Sequence, residues 1–177
     1  EILFFGNNDG VFYAFNLTSA ITNDTKVPLW TYTEGGSVGR SMPSFDGQNV
    51  YIGTADKKIY AINKLSGQKI WSFTSTDGNF ENSAAVIGGD GSLYIGSNKD
   101  SSGYSSLYTL DPLTGSNVNS PIQFNTGHVG SLALGAEGSI YFSTSSGTIY
   151  RYGESKSCSG GRAINLDFGS TDVSFEE

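Results

Sequence analysis

The sequence predicts an all-β fold, a β-propeller built of four-stranded antiparallel blades. Three observations carry this expectation. A unit recurs about every 42 to 48 residues, marked by Tyr13, Tyr60, Tyr108 and Tyr150 at spacings of 47, 48 and 42. Each marker lies in a short run of alternating character: Val11 to Asn16, Ile59 to Asn63, Leu107 to Asp111 and Ile149 to Gly153. Glycine and aromatic residues are abundant, with 24 Gly and 13% Phe, Trp and Tyr, as suits many short strands joined by tight turns. A repeat of this length made of short strands is the mark of a propeller blade.

Each element of the unit has its own signal. Ahead of every Tyr strand lies an apolar strand: Ile2 to Gly6, Val50 to Gly53, Leu93 to Gly96 and Ile140 to Ser143. Such runs fit strands sandwiched on both faces. Polar turns join the two strands, and Asp9-Gly10 and Ser146-Gly147 read as hairpins because Gly accepts a positive φ. The connection Ser97 to Ser106 is longer than its siblings, and its Tyr104 amid Ser and Gly resembles a contact loop.

Upstream comes an inner strand rich in small residues: Ser41 to Phe45, Ser83 to Ile87 and Ser131 to Leu134. These lead into Asp46-Gly47, Asp90-Gly91 and Glu137-Gly138. Small side chains suit the crowded centre of a propeller, and Pro43 fits only where its missing N–H is not needed. Downstream comes an outer strand, clear at Trp30 to Tyr32 and Trp71 to Phe73, and degenerate at Ile122 to Phe124 and Ile164 to Leu166.

The count is four strands per repeat, with blades at 1–36, 37–78, 79–127 and 128–171. Residues 172–177, with Asp172 to Phe175, read as the start of a further blade or as a closing strand. About four blades of a larger ring are therefore expected. Isolated blades leave wide apolar faces open to water, so the remainder of a longer chain or self-association is expected to cover them.

The best-preserved copy reads Ala61, Asn63, Ser66, Gly67 and Trp71 within Ala61 to Trp71. This resembles the A-x-D-x-x-T-G-x-x-x-W repeat of the pyrroloquinoline-quinone-like (PQQ-like) propeller superfamily. Asn63 replaces the Asp and Ser66 the Thr. The third copy keeps Asp111, Thr114 and Gly115 without the Trp; the first keeps Ala14, Asn16 and Trp30 around an insertion; the fourth has lost nearly all of it. The resemblance implies a structural motif. Asp or Asn and Thr or Ser bond the turn's backbone, Gly takes the left-handed position, and Trp docks on the neighbouring blade.

The superfamily includes quinoprotein dehydrogenases that use PQQ and calcium, and non-catalytic scaffolds, sensors and surface proteins, so the fold alone does not choose. The sequence favours a non-catalytic interaction or structural module outside the cytoplasm, with no cofactor and a protein partner. The sole histidine, His128, has no carboxylate or nucleophile near it in sequence. The adjacent cysteines of many alcohol-oxidising quinoproteins are missing, Cys158 being alone. A quinoprotein reading would require PQQ, calcium and a base, with Glu81 and Asp172 as candidate carboxylates. A third reading is a glycan- or small-molecule-binding propeller, whose mouth would be lined by Arg40, Glu81, Asn82 and His128 as aligned on the Asp-Gly and Glu-Gly turns.

Charge excludes one class. The formal net charge of −7 and a pI near 4.6 leave no basic face for nucleic acid. No stretch approaches the ~20 apolar residues that span a bilayer. Two N-x-Thr sequons, at Asn16 and Asn23, are glycan acceptors if the chain passes through a eukaryotic secretory route.

Overall fold

The structure, a computed structural model, describes residues 1–17, 27–33, 35–125, 127–135 and 138–152, and the backbone of 166–167. Its elements form four antiparallel sheets, each strand pairing with its sequence neighbour. The first sheet holds β1 (Ile2–Gly6), β2 (Phe12–Asn16) and β3 (Trp30–Tyr32). The second holds β4 (Ser44–Phe45), β5 (Asn49–Gly53), β6 (Lys58–Asn63) and β7 (Lys69–Thr74). The third holds β8 (Val86–Ile87), β9 (Leu93–Gly96), β10 (Ser105–Leu110) and β11 (Ile122–Phe124). The fourth holds β12 (Val129–Leu134), β13 (Ile140–Thr144), β14 (Thr148–Tyr152) and β15 (Leu166–Asp167). Among the described residues no helix is long and apolar enough to cross a membrane.

Successive side chains on a strand point to opposite faces, and the second and third sheets use both faces for their neighbours. Phe12, Ala14, Trp30 and Tyr32 of the first sheet pack on Val50, Ile52, Tyr60 and Ile62 of the second. Tyr51, Ile59, Ala61 and Trp71, on the second sheet's other face, pack on Leu93, Ile95, Tyr108 and Leu110 of the third. Tyr94 and Leu107 then pack on Leu132, Ile140 and Phe142 of the fourth. Burial on both faces is why β5 and β6 read as near-continuous apolar runs. Val50, Tyr51, Ile59, Ala61 and Ile62 are all 0% exposed.

Two elements differ from the sequence reading. In the second and third sheets the inner strand is confined to Ser44–Phe45 and Val86–Ile87. Pro43 has no N–H for a ladder. The preceding serines bond laterally instead: Ser41 Oγ donates to Ser83 O at 2.7 Å and accepts from Gly53 N at 3.3 Å, and Ser83 Oγ donates to Gly96 O. In the long connection, Ser105 and Ser106 belong to β10 and are buried, as is Ser97. The rest is organised by Asp100, whose Oδ1 accepts from Ser102 N at 2.9 Å and Tyr104 N at 2.8 Å.

Thr18 and Asn23 of the sequons, Glu137, Cys158, Ile164, Asn165 and Asp172 to Phe175 lie outside the described residues. Asn16 is exposed at the end of β2.

Candidate functional site

The repeat-motif residues meet at the joints between sheets. Asn63 Oδ1 accepts from Leu65 N and Ser66 N, both at 3.0 Å, which closes the turn after β6. Asp111 Oδ1 does the same for Leu113 N at 2.7 Å and Thr114 N at 3.2 Å. Ser66 Oγ and Thr114 Oγ1 accept from Gln68 N and Ser116 N. Each turn ends in a left-handed glycine, Gly67 at φ 71° and Gly115 at φ 73°.

The tryptophan of the preceding sheet lies on that glycine. Trp30 Nε1 donates to Lys64 O at 3.0 Å, and Trp71 Nε1 to Pro112 O at 2.9 Å. A Cβ on Gly67 or Gly115 would sit 2.6 Å from the indole ring of Trp30 or Trp71. The glycine is therefore required twice, by φ and by the ring. Ala14 and Ala61, 0% exposed, are paired with Trp30 and Trp71 across the sheet and leave room for the indoles.

A second set of clamps joins carboxylates to tyrosines. Asp46 caps its own turn, accepting at Oδ1 from Gln48 N and Asn49 N, while Oδ2 accepts from Tyr51 OH at 2.7 Å. Asp90 repeats this with Ser92 N and with Tyr94 OH at 2.8 Å. Burial alone would raise these carboxyls, but the hydrogen bonds win and hold both below the ordinary range. Burial, then the adjacent carboxylate, pushes Tyr51 and Tyr94 well up.

The third-strand tyrosines use carboxylates of different origin. Tyr60 OH donates at 3.1 Å to Asp56 of its own hairpin, which also pairs with Lys58 Nζ at 3.1 Å. Tyr108 OH donates at 2.7 Å to Asp77, which comes from the preceding sheet. Asp77 is only 4% exposed. It accepts from Ser75 Oγ at 2.9 Å, Gly78 N at 2.8 Å and Ser106 Oγ. Burial pushes its carboxyl up, and the Ser106, Tyr108 and Ser75 hydroxyls pull it down further, so it stays ionised.

Asp46, Asp77 and Asp90 do not figure in the sequence reading as side-chain anchors. Asp46 and Asp90 had a signal, an Asp-Gly turn followed by a strand Tyr. Asp77 had none, because Ser106 and Tyr108 are 29 and 31 residues away.

The rim residues lie in the linkers between sheets. Val38 N donates to Asn7 O, Phe80 N to Thr54 O and Val129 N to Ser97 O, each reaching back to the preceding sheet's hairpin. Ser37 O, Asn79 O and His128 O accept from Ala55 N, Asn98 N and Ser145 N of the following hairpin. These bonds fix the register. Arg40 corresponds to Asn82, Glu81 to Gly39, and His128 to Ser37 and Asn79. Aligning on the turns shifts this, because the stretch from Phe80 to Asp90 is longer than that from Val38 to Asp46.

Arg40 and Glu81 are brought together through their backbones, Arg40 N donating to Glu81 O at 2.8 Å. Arg40, Asn82 and His128 are exposed, and Glu81 is half-buried. Among the described residues no three His, Cys, Asp or Glu side chains group as a cation site. Among the described residues the carboxylates of Asp46, Asp56 and Asp77 are already bonded to hydroxyls, amides or Lys58.

A stack of three- and four-stranded antiparallel sheets, joined by tryptophan on a left-handed glycine turn, defines a PQQ-like β-propeller repeat protein. The model of the family described as "Outer membrane protein assembly factor BamB" matches residues 3–157, and the chain belongs to this family. Among solved structures it is similar to BamB from Moraxella catarrhalis, with TM-score 0.68 and 18% identity over 97% of this chain. It is also similar to the computationally designed Ika8 protein, with TM-score 0.65 and 18% identity over 85% of this chain. It spans 48% and 42% of those two chains, about half of each. No curated protein matches it.

Proposed function

We propose that this chain is a non-catalytic scaffold module that docks other proteins outside the cytoplasm, in a cell-envelope setting. The observation that carries this is the use of its tyrosine-bonded acids. Asp46, Asp77 and Asp90 are ionised and bound to tyrosine hydroxyls, with serine hydroxyls or turn amides as further donors. A general base is poised near the working pH. These carboxylates are held below their ordinary range instead, and their oxygens are taken up in holding strands and joints. Membership of a family described as an outer membrane protein assembly factor supports protein partners and the envelope setting.

The exposed linker residues supply a test. A photo-crosslinking amino acid is placed at Arg40, Asn82 or His128, and the chain is exported to the periplasm of a Gram-negative host. Discrete adducts with envelope proteins, differing between the three positions, are expected. Uniform absence of adducts, or oxidation of an alcohol by the purified chain supplied with PQQ and calcium, would sink the proposal.

A further inference from the structure

The chain contains four Asp-Gly dipeptides, at Asp9, Asp46, Asp77 and Asp90. This dipeptide can rearrange without help. The glycine nitrogen attacks the aspartyl Cγ and an N–Cγ bond forms. The carboxyl OH leaves with the amide proton as water, and a five-membered succinimide results. Water then opens the ring at either carbonyl. One opening restores Asp; the other leaves isoaspartate, in which the backbone runs through Cγ. No oxidant, metal or second substrate enters. Glycine favours the step because it has no Cβ to block the approach. Two conditions remain for the fold to set. The carboxyl must be protonated, so that its oxygen can leave as water, and Cγ must be able to swing onto the glycine nitrogen.

Asp46, Asp77 and Asp90 meet neither condition. Asp46 Oδ1 is bonded by Gln48 N at 2.7 Å and Asn49 N at 2.6 Å, and Oδ2 by Tyr51 OH at 2.7 Å. Asp90 is bonded on Oδ1 by Ser92 N at 3.0 Å and on Oδ2 by Tyr94 OH at 2.8 Å. Asp77 is buried and takes the hydroxyls of Ser75, Ser106 and Tyr108. Its would-be nucleophile, Gly78 N, is already aimed at Oδ1 at 2.8 Å. All three carboxyls are held ionised by these bonds.

Asp9 stands apart. It is exposed, and among the described residues its carboxylate has one hydrogen bond, from Asn7 Nδ2 at 3.4 Å, longer than the ordinary range. Gly10 N is also loosely held. It donates to Asn7 O at 3.3 Å, whereas Gly147 N in the matching hairpin of the fourth sheet reaches Thr144 O at 3.0 Å. We propose that Asp9 is the site of succinimide and isoaspartate formation in the folded protein, and that Asp46, Asp77 and Asp90 are protected by their clamps. The position matters to the stack. Asn7 O also accepts from Val38 N at 3.2 Å, and a Cβ on Gly10 would sit 2.7 Å from Gly35 O. The methylene that isoaspartate adds to this turn therefore falls against the linker to the second sheet. Net charge is unchanged, since one carboxylate replaces another. This inference does not depend on the scaffold reading.

Ageing the full chain at pH 5 tests it, with isoaspartate labelled by an isoaspartyl carboxyl methyltransferase and located by peptide mapping. In the folded chain the label at Asp9 is expected to exceed that at each other site about tenfold or more, since releasing any of those carboxylates breaks at least one charge-assisted hydrogen bond. In urea all four sites are expected to label alike, because the dipeptides are the same and only the fold distinguishes them. Asp9→Glu removes the label, the ring from glutamate being six-membered and slow to form. Tyr94→Phe takes one bond from Asp90 and raises its label about 3–10-fold, leaving Asp9 unchanged. Circular dichroism checks that the variants fold; should Tyr94→Phe not fold, Tyr51→Phe takes its place with the rise read at Asp46. Equal label at the four sites of the folded chain overturns the proposal. So does a folded chain unlabelled at Asp9 that labels there in urea, which would mean that the bond from Gly10 N to Asn7 O is enough to hold the turn. A folded tyrosine variant without the rise overturns the protection by the clamps.

Discussion

The joint between the second and third sheets and the joint between the third and fourth differ in their balance of forces. The former adds directed polar bonds, Trp71 on Pro112 and Gly115 and Asp77 on Tyr108 and Ser106, to the ring pairs Phe73–Tyr108 and Phe80–Tyr108. Among the described residues the latter leans on rings. Phe124 lies 5.0 Å from Tyr150 and 5.4 Å from Phe142, and Tyr94 5.9 Å from Tyr152. Each ring pair adds about 0.5–1.5 kcal/mol beyond its burial and tolerates small slides. A hydrogen-bonded clamp has one geometry. The repeat motif decays along the chain without loss of stacking because aromatic packing can substitute for the clamp.

Removing the clamp's largest part breaks this comparison most sharply. Trp71→Ala is expected to cost about 3–5 kcal/mol, since it empties a buried site and removes the shorter of the two hydrogen bonds to Pro112 O, leaving that from Tyr51 OH. Phe124→Ala at the other joint is expected to cost less, because Phe124 is half-exposed and its neighbours can close in. Urea unfolding of both variants checks this; equal losses would mean the two joints are not distinct in kind.

Asp77 gives the next effect. Asp77→Asn keeps the shape but turns an amide toward hydroxyl donors, and is expected to cost about 2 kcal/mol at pH 7. The sign with pH follows from the carboxyl's position. It is lower folded than unfolded, so its stabilisation is full above the ordinary carboxylate value, about 3.9, and fades as pH falls through the folded value. Unfolding at pH 7, 5 and 3 should show the gap between wild type and variant narrowing only at the acid end. A gap constant with pH would show that the ionised form is not what the joint uses.

Tyr94→Phe tests a clamp within one sheet rather than between two. It removes the hydroxyl given to Asp90, while Asp90 keeps its bond from Ser92 N. A loss of about 1 kcal/mol is expected in the same unfolding assay. A loss as large as that of Asp77→Asn would place the turn clamps on a par with the joint clamps.

These effects separate what could be read in the chain from what could not. The strands and sheet order were legible because apolar runs and Gly or Asp turns recur at a fixed interval, and each turn's signal is local. The Asn63 and Asp111 turns were legible for the same reason, since Asx bonding acts within three residues. The partners across the joints were not. Which carbonyl receives Trp71, or which hydroxyls surround Asp77, depends on how sheets separated by 29 to 41 residues meet. The backbone register at the rim differs from the alignment on the turns for a related reason. Turn signals set register within a sheet, whereas the linkers take theirs from backbone bonds to two neighbouring hairpins.

Lys57 offers the smallest effect and the one opposite in sign. It stands at φ 65° in the hairpin of the second sheet, while Gly10 and Gly147 hold the left-handed position in the hairpins of the first and fourth. An L side chain there costs about 1–2 kcal/mol through its Cβ. Lys57→Gly relieves that strain but adds freedom to the unfolded chain, worth about 0.4–1 kcal/mol in the other direction. The net expectation is a gain of up to about 1 kcal/mol, seen as a higher urea midpoint with an unchanged slope. A loss would mean that Lys57 contributes a contact beyond its turn. The residue then belongs with the joint between the first and second sheets, where Ala55 N already reaches Ser37 O and Gly36 packs against Asp56, whose backbone N would lie 2.9 Å from a Cβ on that glycine.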